Sequence, residues 1–271
     1  MSPKVIRGIL RSDGTPNFSS AVFSKPKELE YLIQKPVFST TSHSPIIRGV
    51  EMMIVKSVRR IPITDAQGRL EGIVTATDMV NFFGGGDYYN IVKIKHGGRF
   101  FSALYAPMES IMSKDVSSAS VDTNFSDVLA KMINENVGAL PIVDKNSILI
   151  GIITEYDVVR YLSGRAMTES VGDYMTRNPV MASSDISIKS AARLMVSNGF
   201  RRIPIVKGNT VVGIVTSTDI VKYIGEGSAF RRLLLDEMDQ VLSVPVCDIM
   251  RTGVVLVKSD LQLGEVAPLI R

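Results

Sequence analysis

Three segments of this chain carry one signature in one register. Arg59-Arg60-Ile61-Pro62-Ile63 leads to Gly72-Ile73-Val74-Thr75-Ala76-Thr77-Asp78. Gly138-Ala139-Leu140-Pro141-Ile142 leads to Gly151-Ile152-Ile153-Thr154-Glu155-Tyr156-Asp157, and Arg201-Arg202-Ile203-Pro204-Ile205 to Gly213-Ile214-Val215-Thr216-Ser217-Thr218-Asp219. Proline and aspartate stand 16, 16 and 15 residues apart (78 − 62, 157 − 141, 219 − 204). Such a repeat limits the fold strongly, because every copy has to build the same supersecondary unit. Each signature has an upstream anchor. Met112 lies 29 residues before Pro141 and Met175 lies 29 before Pro204 (141 − 112, 204 − 175), and the same offset before Pro62 falls on Ile33. A fourth anchor, Ile249-Met250, opens a copy that the chain leaves unfinished at Arg271. Asp78 and Asp219 are 141 residues apart (219 − 78), so the small repeat sits inside a duplicated pair.

The third copy shows the local structure to expect. Val180-Met181-Ala182 is a short extended segment, and the apolar residues Ile186, Ile188, Ala191, Ala192, Leu194, Met195 and Val196 share one helical face. Gly199 supplies the left-handed helix cap. Ile203–Val206 and Val211–Val215 read as a hairpin around Gly208-Asn209. A second helix begins at Thr216–Asp219 and stops before Gly225, as Gly84-Gly85-Gly86 is expected to stop its counterpart. Each unit is β-α-β-β-α, an α/β (α+β) arrangement. A lone unit of about 60 residues makes a marginal core, so the units should pair. The expected layout is an N-terminal extension, 1–27, with a small hairpin. A first pair over 28–168 follows (units 28–90 and 105–165). A second pair over 169–271 completes it (unit 169–226 and an incomplete unit at 243–271). About 40 further residues would finish the fourth unit, so a shortened chain is expected, with apolar residues of a helix over Leu263–Ile270 exposed.

Composition narrows the function. Hydrophobic residues at 45% and charged residues at 21% describe an ordinary globular protein rather than a disordered or fibrous one. No apolar run approaches membrane-spanning length, and MSPKVIRGIL lacks a secretory apolar stretch. With one cysteine, Cys247, expected to be buried and inert, and two histidines, His43 and His96, expected at the surface, neither a disulfide nor a zinc site is expected. A cytoplasmic location fits. The methionines at 52, 53, 132 and 195 read as core fillers. No nucleophile elbow, Cys–His pairing or phosphate-loop motif is present, so no enzyme and no catalytic cofactor are expected. The net charge of +4 is compatible with an anionic ligand, without the dense basic tracts of a nucleic-acid reader.

Over residues 28–271 the repeated signature resembles the CBS domain, the tandem module named after cystathionine β-synthase. The glycine-rich stretch after Asp78 is similar to that of archaeal members with four such domains, which in turn resemble the gamma regulatory subunit of AMP-activated protein kinase. The resemblance implies that units pair into pseudo-symmetric modules and bind an adenine nucleotide (AMP, ADP or ATP) or S-adenosylmethionine in clefts between units. It implies a regulatory protein that acts on an effector or associates with itself as a homo-oligomer. It places Asp78, Asp157 and Asp219 at the ribose hydroxyls, with Thr75, Thr154 and Thr216 alongside. Arg59-Arg60 and Arg201-Arg202 are placed at phosphate. The adenine slot falls on segments that include Gln34 and Val37, Ser113 and Val116, and Thr176, Pro179 and Val180.

The residues suit that chemistry. A carboxylate in the first turn of a helix can accept both ribose hydroxyls. Thr77, Thr216 and Thr218 can offer hydroxyl donors, the helix N-terminus favours an anion, and guanidinium pairs bidentately with phosphate. Thr-x-x-Asp is equally a helix capping box, and the two roles are compatible. The second unit has Gly138-Ala139 where the others have two arginines, so positive charge for its cleft has to come from elsewhere. Two further readings stay open: a dimerisation scaffold with empty clefts, and a nucleic-acid binder that uses the surplus of positive charge.

Overall fold

The structure, a computed structural model, describes residues 28–162, 167, 169–227, 229 and 236–270. The expected extension at 1–27 and its hairpin lie outside the described residues. The fold is of the α+β class. The first unit runs α1 (Glu28–Leu32), α2 (Ile46–Val55), β1 (Arg60–Thr64), β2 (Leu70–Thr75) and α3 (Ala76–Val80), which continues as a π turn over Asn81–Gly85. Helices α4 (Tyr89–Lys95) and α5 (Phe100–Leu104) connect it to the second unit. That unit comprises β3 (Ala119–Ser120), α6 (Phe125–Asn134), β4 (Ala139–Val143), β5 (Leu149–Thr154) and α7 (Glu155–Leu162). The third has α8 (Val171–Tyr174), β6 (Ala182–Ser183), α9 (Ile188–Asn198), β7 (Arg202–Lys207), β8 (Thr210–Thr216) and α10 (Ser217–Gly225). Helices α11 (Met238–Val241) and α12 (Leu263–Val266) lie in the remainder.

The three hairpins share one register. Arg60 pairs with Thr75, Ala139 with Thr154 and Arg202 with Thr216, and each proline faces an isoleucine: Pro62 with Ile73, Pro141 with Ile152, Pro204 with Ile214. In the second and third units a short first strand adds in parallel, through Ala119 to Ile142 and Ala182 to Ile205. In the first unit this strand is reduced to one bridge, Thr40 to Ile63, so its sheet has two strands instead of the expected three.

Bridges between units position the clefts. Gln34 pairs with Ile152, Ser113 with Ile73, and Arg251 with Ile214. The segments after Ile33, Met112 and Met250 therefore lie along the last strand of a different unit, whereas no such bridge follows Met175 among the described residues. The first two units exchange these segments, and the third receives the one that follows Met250.

The larger core joins the helices of the first and third units, including Val50, Met79, Phe82, Ala192, Ile220 and Ile224. A smaller core, with Phe125, Val128 and Leu140, belongs to the second unit and takes in Leu29 and Ile33 from α1. Met53, Met132 and Met195 are buried core residues and Met52 packs against the larger core. Gly199 caps α9 with φ 68°.

Three expectations are corrected. Gly84-Gly85-Gly86 does more than stop a helix. The chain passes through Gly84 at φ 143°, and a Cβ added to Gly85 or Gly86 would lie 2.7 Å from Val196, so these glycines admit α9 at close range. Cys247 is exposed. In its short 3-10 turn Val246 takes the inward position and Cys247 the outward one. The helix expected over Leu263–Ile270 is α-helical only to Val266 and continues as a 3-10 turn over Ala267–Leu269, because Pro268 lacks the amide a longer α-helix needs. Leu269 and Ile270 are about half exposed.

Candidate functional site

Each signature aspartate sits in the first turn after a hairpin, tied down by the threonine three residues before it. Asp78 accepts from the Thr75 amide and hydroxyl, both at 2.7 Å, through Oδ2. Asp157 accepts from the Thr154 amide at 2.9 Å and hydroxyl at 2.6 Å, and Asp219 from Thr216 at the same two distances, again through Oδ2. In the first and third units the threonine hydroxyl also accepts from the aspartate amide at 3.3 Å, completing a capping box. The cap occupies one carboxylate oxygen and leaves Oδ1 free for another role. Thr77 and Thr218 are half-buried in the same turns.

The second oxygen distinguishes the three. Gln34 donates to Asp157 Oδ1 at 2.8 Å and Arg251 to Asp219 Oδ1 at 2.7 Å. Asp78 Oδ1 has no hydrogen-bond partner among the described residues. Ser113, which holds the equivalent place, presents a side chain too short for that reach, with Val116 half-buried further along the segment. Burial pushes the Asp78 carboxyl above its ordinary range against the opposing pull of the Thr75 donors.

A cleft of about 160 Å³ opens beside the segment that pairs with Ile152; Gln34, Val37, Phe38, Lys56, Arg60 and Ile152 line it. Gln34 links it to Asp157. The Lys56 ammonium stands over the Phe38 ring, 4.8 Å from its centre. The positive charge the second unit lacks thus arrives from the first, as Arg60 and Lys56. The Gly138-Ala139 departure makes this geometrically feasible: a Cβ on Gly138 would lie 2.5 Å from an Arg60 guanidinium nitrogen and 2.8 Å from the Glu155 carboxyl group.

Charges from several units converge here. Partial desolvation and then the neighbouring Arg202, Arg201 and Arg251 lower the pKa of Arg59 from its ordinary value, opposed by Glu155. Desolvation, followed by Arg201, lowers that of Arg60 to about 10, again opposed by Glu155. Arg201 approaches Glu155 at 3.6 Å. Both arginine pairs and Arg251 therefore share one field, with Glu155 as the nearby carboxylate. A group of like charges that is partly desolvated favours a bound anion.

The structure brings Asp157 together with Gln34 and puts Val37 in the same cleft. It sets Ser113 against Ile73 of the strand leading to Asp78, and gathers Arg59, Arg60, Arg201 and Arg202. It does not bring Thr176, Pro179 or Val180 beside any signature aspartate; all three are exposed. Phe38 falls within the segment expected to line the adenine slot, whereas Arg251, Glu155 and Lys56 escaped the sequence reading. Arg251 and Glu155 were within reach of it: Arg251 follows its anchor as Gln34 and Ser113 follow theirs, and Glu155 replaces Ala76 and Ser217 in the repeat. Among the described residues no cluster of metal-ligating side chains occurs, and no helix is long and apolar enough to cross a membrane.

Comparison with known proteins agrees with this architecture. The family profile of the CBS domain matches residues 28–85, 108–164 and 171–226. Protein MJ1225 of Methanocaldococcus jannaschii is 34% identical over 236 residues, covering 86% of this chain and 83% of that protein. A 33.4 kDa protein from a ribosomal RNA operon of Thermofilum pendens is 27% identical over 236 residues, covering 87% and 79%. The crystal structure of MJ1225, described as that of a proposed archaeal homologue of g-AMPK, superposes with a TM-score of 0.84 at 32% identity and covers 89% of this chain and 88% of that one. With its repeated hairpins, exchanged segments and these matches, the chain belongs to the CBS-domain family.

Proposed function

We propose that this protein is a regulatory sensor that binds an adenine nucleotide in clefts between its CBS units and transmits occupancy to an effector. The observation that carries the reading is the Asp157 cleft. The cleft is walled by Val37, Phe38 and Ile152 and made positive by Lys56 and Arg60, and Gln34 on its lining hydrogen-bonds the buried Asp157 carboxylate beyond it. Its volume is below the roughly 300–1,000 Å³ that encloses a whole drug-sized ligand. It suits a base, with phosphate left at the arginine-rich rim. Because the lining comes from two units, a ligand stabilises one arrangement of those units over others, and regulation follows from that bias. The chain regulates rather than catalyses.

Calorimetry with AMP, ADP, ATP and S-adenosylmethionine tests this on the wild type and on Asp78→Ala, Asp157→Ala and Asp219→Ala. Binding in the micromolar range is expected for at least one ligand, weakened at least about 10-fold by one of the substitutions, as for loss of a hydrogen bond to a charged group. No heat and no thermal shift with any of the four would leave a scaffold with empty clefts. Salt-sensitive binding to an oligonucleotide alone would indicate a nucleic-acid binder instead.

A further inference from the structure

One slot of the fold, the residue after an anchor where it meets another unit, is filled in three chemically different ways. Each occupant bridges to the isoleucine of the Gly-Ile pair on the strand that leads to a signature aspartate: Ser113 to Ile73, Gln34 to Ile152, Arg251 to Ile214. Its side chain therefore points at, or falls short of, the Oδ1 that the helix cap leaves over. Serine leaves Asp78 Oδ1 open, glutamine offers a neutral amide to Asp157 at 2.8 Å, and arginine puts a cation on Asp219 at 2.7 Å. Asp219 is buried, with its side chain 5% exposed, while that of Arg251 is 62% exposed. The contact thus neutralises an interior carboxylate with a side chain that can swing outward.

We infer that Arg251 is a specificity latch on the Asp219 cleft, which excludes uncharged adenosine and admits a phosphorylated nucleoside. This rests on the adenine reading above and adds to it a grading of the clefts by ligand charge. Adenosine has to compete for Oδ1 against a guanidinium, and its hydroxyls offer only neutral hydrogen bonds in exchange. A nucleotide carries a phosphate that guanidinium binds bidentately, so it can draw Arg251 off the carboxylate and then use Oδ1 for ribose. The Asp78 cleft has no latch and accepts adenosine and AMP alike. The Asp157 cleft, with a neutral amide to displace, is intermediate.

The test is calorimetry with adenosine and with AMP on the full chain, comparing the wild type, Arg251→Ser, Ser113→Arg and Arg251→Ser combined with Asp219→Ala. Arg251→Ser is expected to add an adenosine site, or to tighten one at least about 10-fold, the equivalent of removing a charge-assisted hydrogen bond. Asp219→Ala in that background should abolish the gain. Ser113→Arg should weaken adenosine at the Asp78 cleft by a similar factor and weaken AMP less. If Arg251→Ser weakens AMP and leaves adenosine unchanged, Arg251 is an ordinary phosphate contact and the latch is overturned. Adenosine binding unaltered by both single substitutions, in a protein that binds AMP, also overturns it while sparing the adenine reading. If neither ligand binds any variant, that reading fails and the latch with it.

Discussion

Each signature aspartate divides its work between two oxygens. Oδ2 caps a helix, and Oδ1 is latched, bridged or open according to one residue contributed by another unit. Asp78 is the open case. Burial raises its carboxyl pKa, so the folded state favours the protonated form. The cost of keeping it ionised is absent below the ordinary carboxylate range and grows as pH rises through the raised value. In Asp78→Asn the amide oxygen can take the place of Oδ2 and still accept from Thr75, while the charge disappears. The variant should melt about 2–4 °C above the wild type at pH 7. That gain should shrink towards zero near pH 4, and adenosine binding at this cleft should be lost. Thermal melts at the two pH values check it; a lower melting temperature at pH 7 would show that the cap outweighs the burial.

The hairpins repeat because their sequences do. Arg60, Ala139 and Arg202 each pair with the capping threonine of their own unit, so each proline-containing strand leads to a helix entry of the same geometry. How helices pack is less evident from the repeat. The glycines after Phe83 look like a terminator but serve as a crossing point. A Cβ on Gly85 would meet Val196 at 2.7 Å and the carbonyl oxygens of Ala192 and Val80 at 2.9 Å. Carbonyls of two helices cannot turn aside as a side-chain tip can, so Gly85→Ala has to push α9 away from the π turn. It should destabilise the protein by about 1–3 kcal/mol, as overpacking does. Urea denaturation reads this as a lower midpoint at unchanged slope.

Over the whole molecule, the units are joined twice. Strand-edge bridges join the first and second units and build clefts, and a helical core joins the first and third. Around these joints Arg59 and Arg60 meet Arg201, Arg202 and Arg251, with Glu155 opposing their mutual repulsion. An arginine pKa lowered to about 10 means that its charged form is disfavoured in the fold, so stability is below its potential at neutral pH and recovers as pH rises through 10. Replacing Arg60 with methionine removes the charge and keeps much of the side-chain length. The variant should melt about 2–4 °C above the wild type at pH 7 without ligand. If Arg60 holds phosphate as proposed, the variant should bind AMP at least about 10-fold more weakly. Melting and calorimetry on one preparation check both, and a variant less stable without ligand would contradict the electrostatic account.

The repeat by itself determined the unit, its order of strands and helices, the hairpin register, the positions of the three aspartates and the family. These are local features, set by proline, glycine and capping residues within about 30 positions of each other. Only the tertiary structure decided which residues meet across units. Arg60 lines one cleft with Ile152, more than 90 residues further along the chain; Gly138 makes room for that guanidinium; and Arg251 reaches Asp219 from beyond the third unit. Because paired units exchange the segments that follow their anchors, the partner of an aspartate is absent from its own repeat. A pattern that treats every copy alike therefore identifies the carboxylates but not what stands opposite each of them.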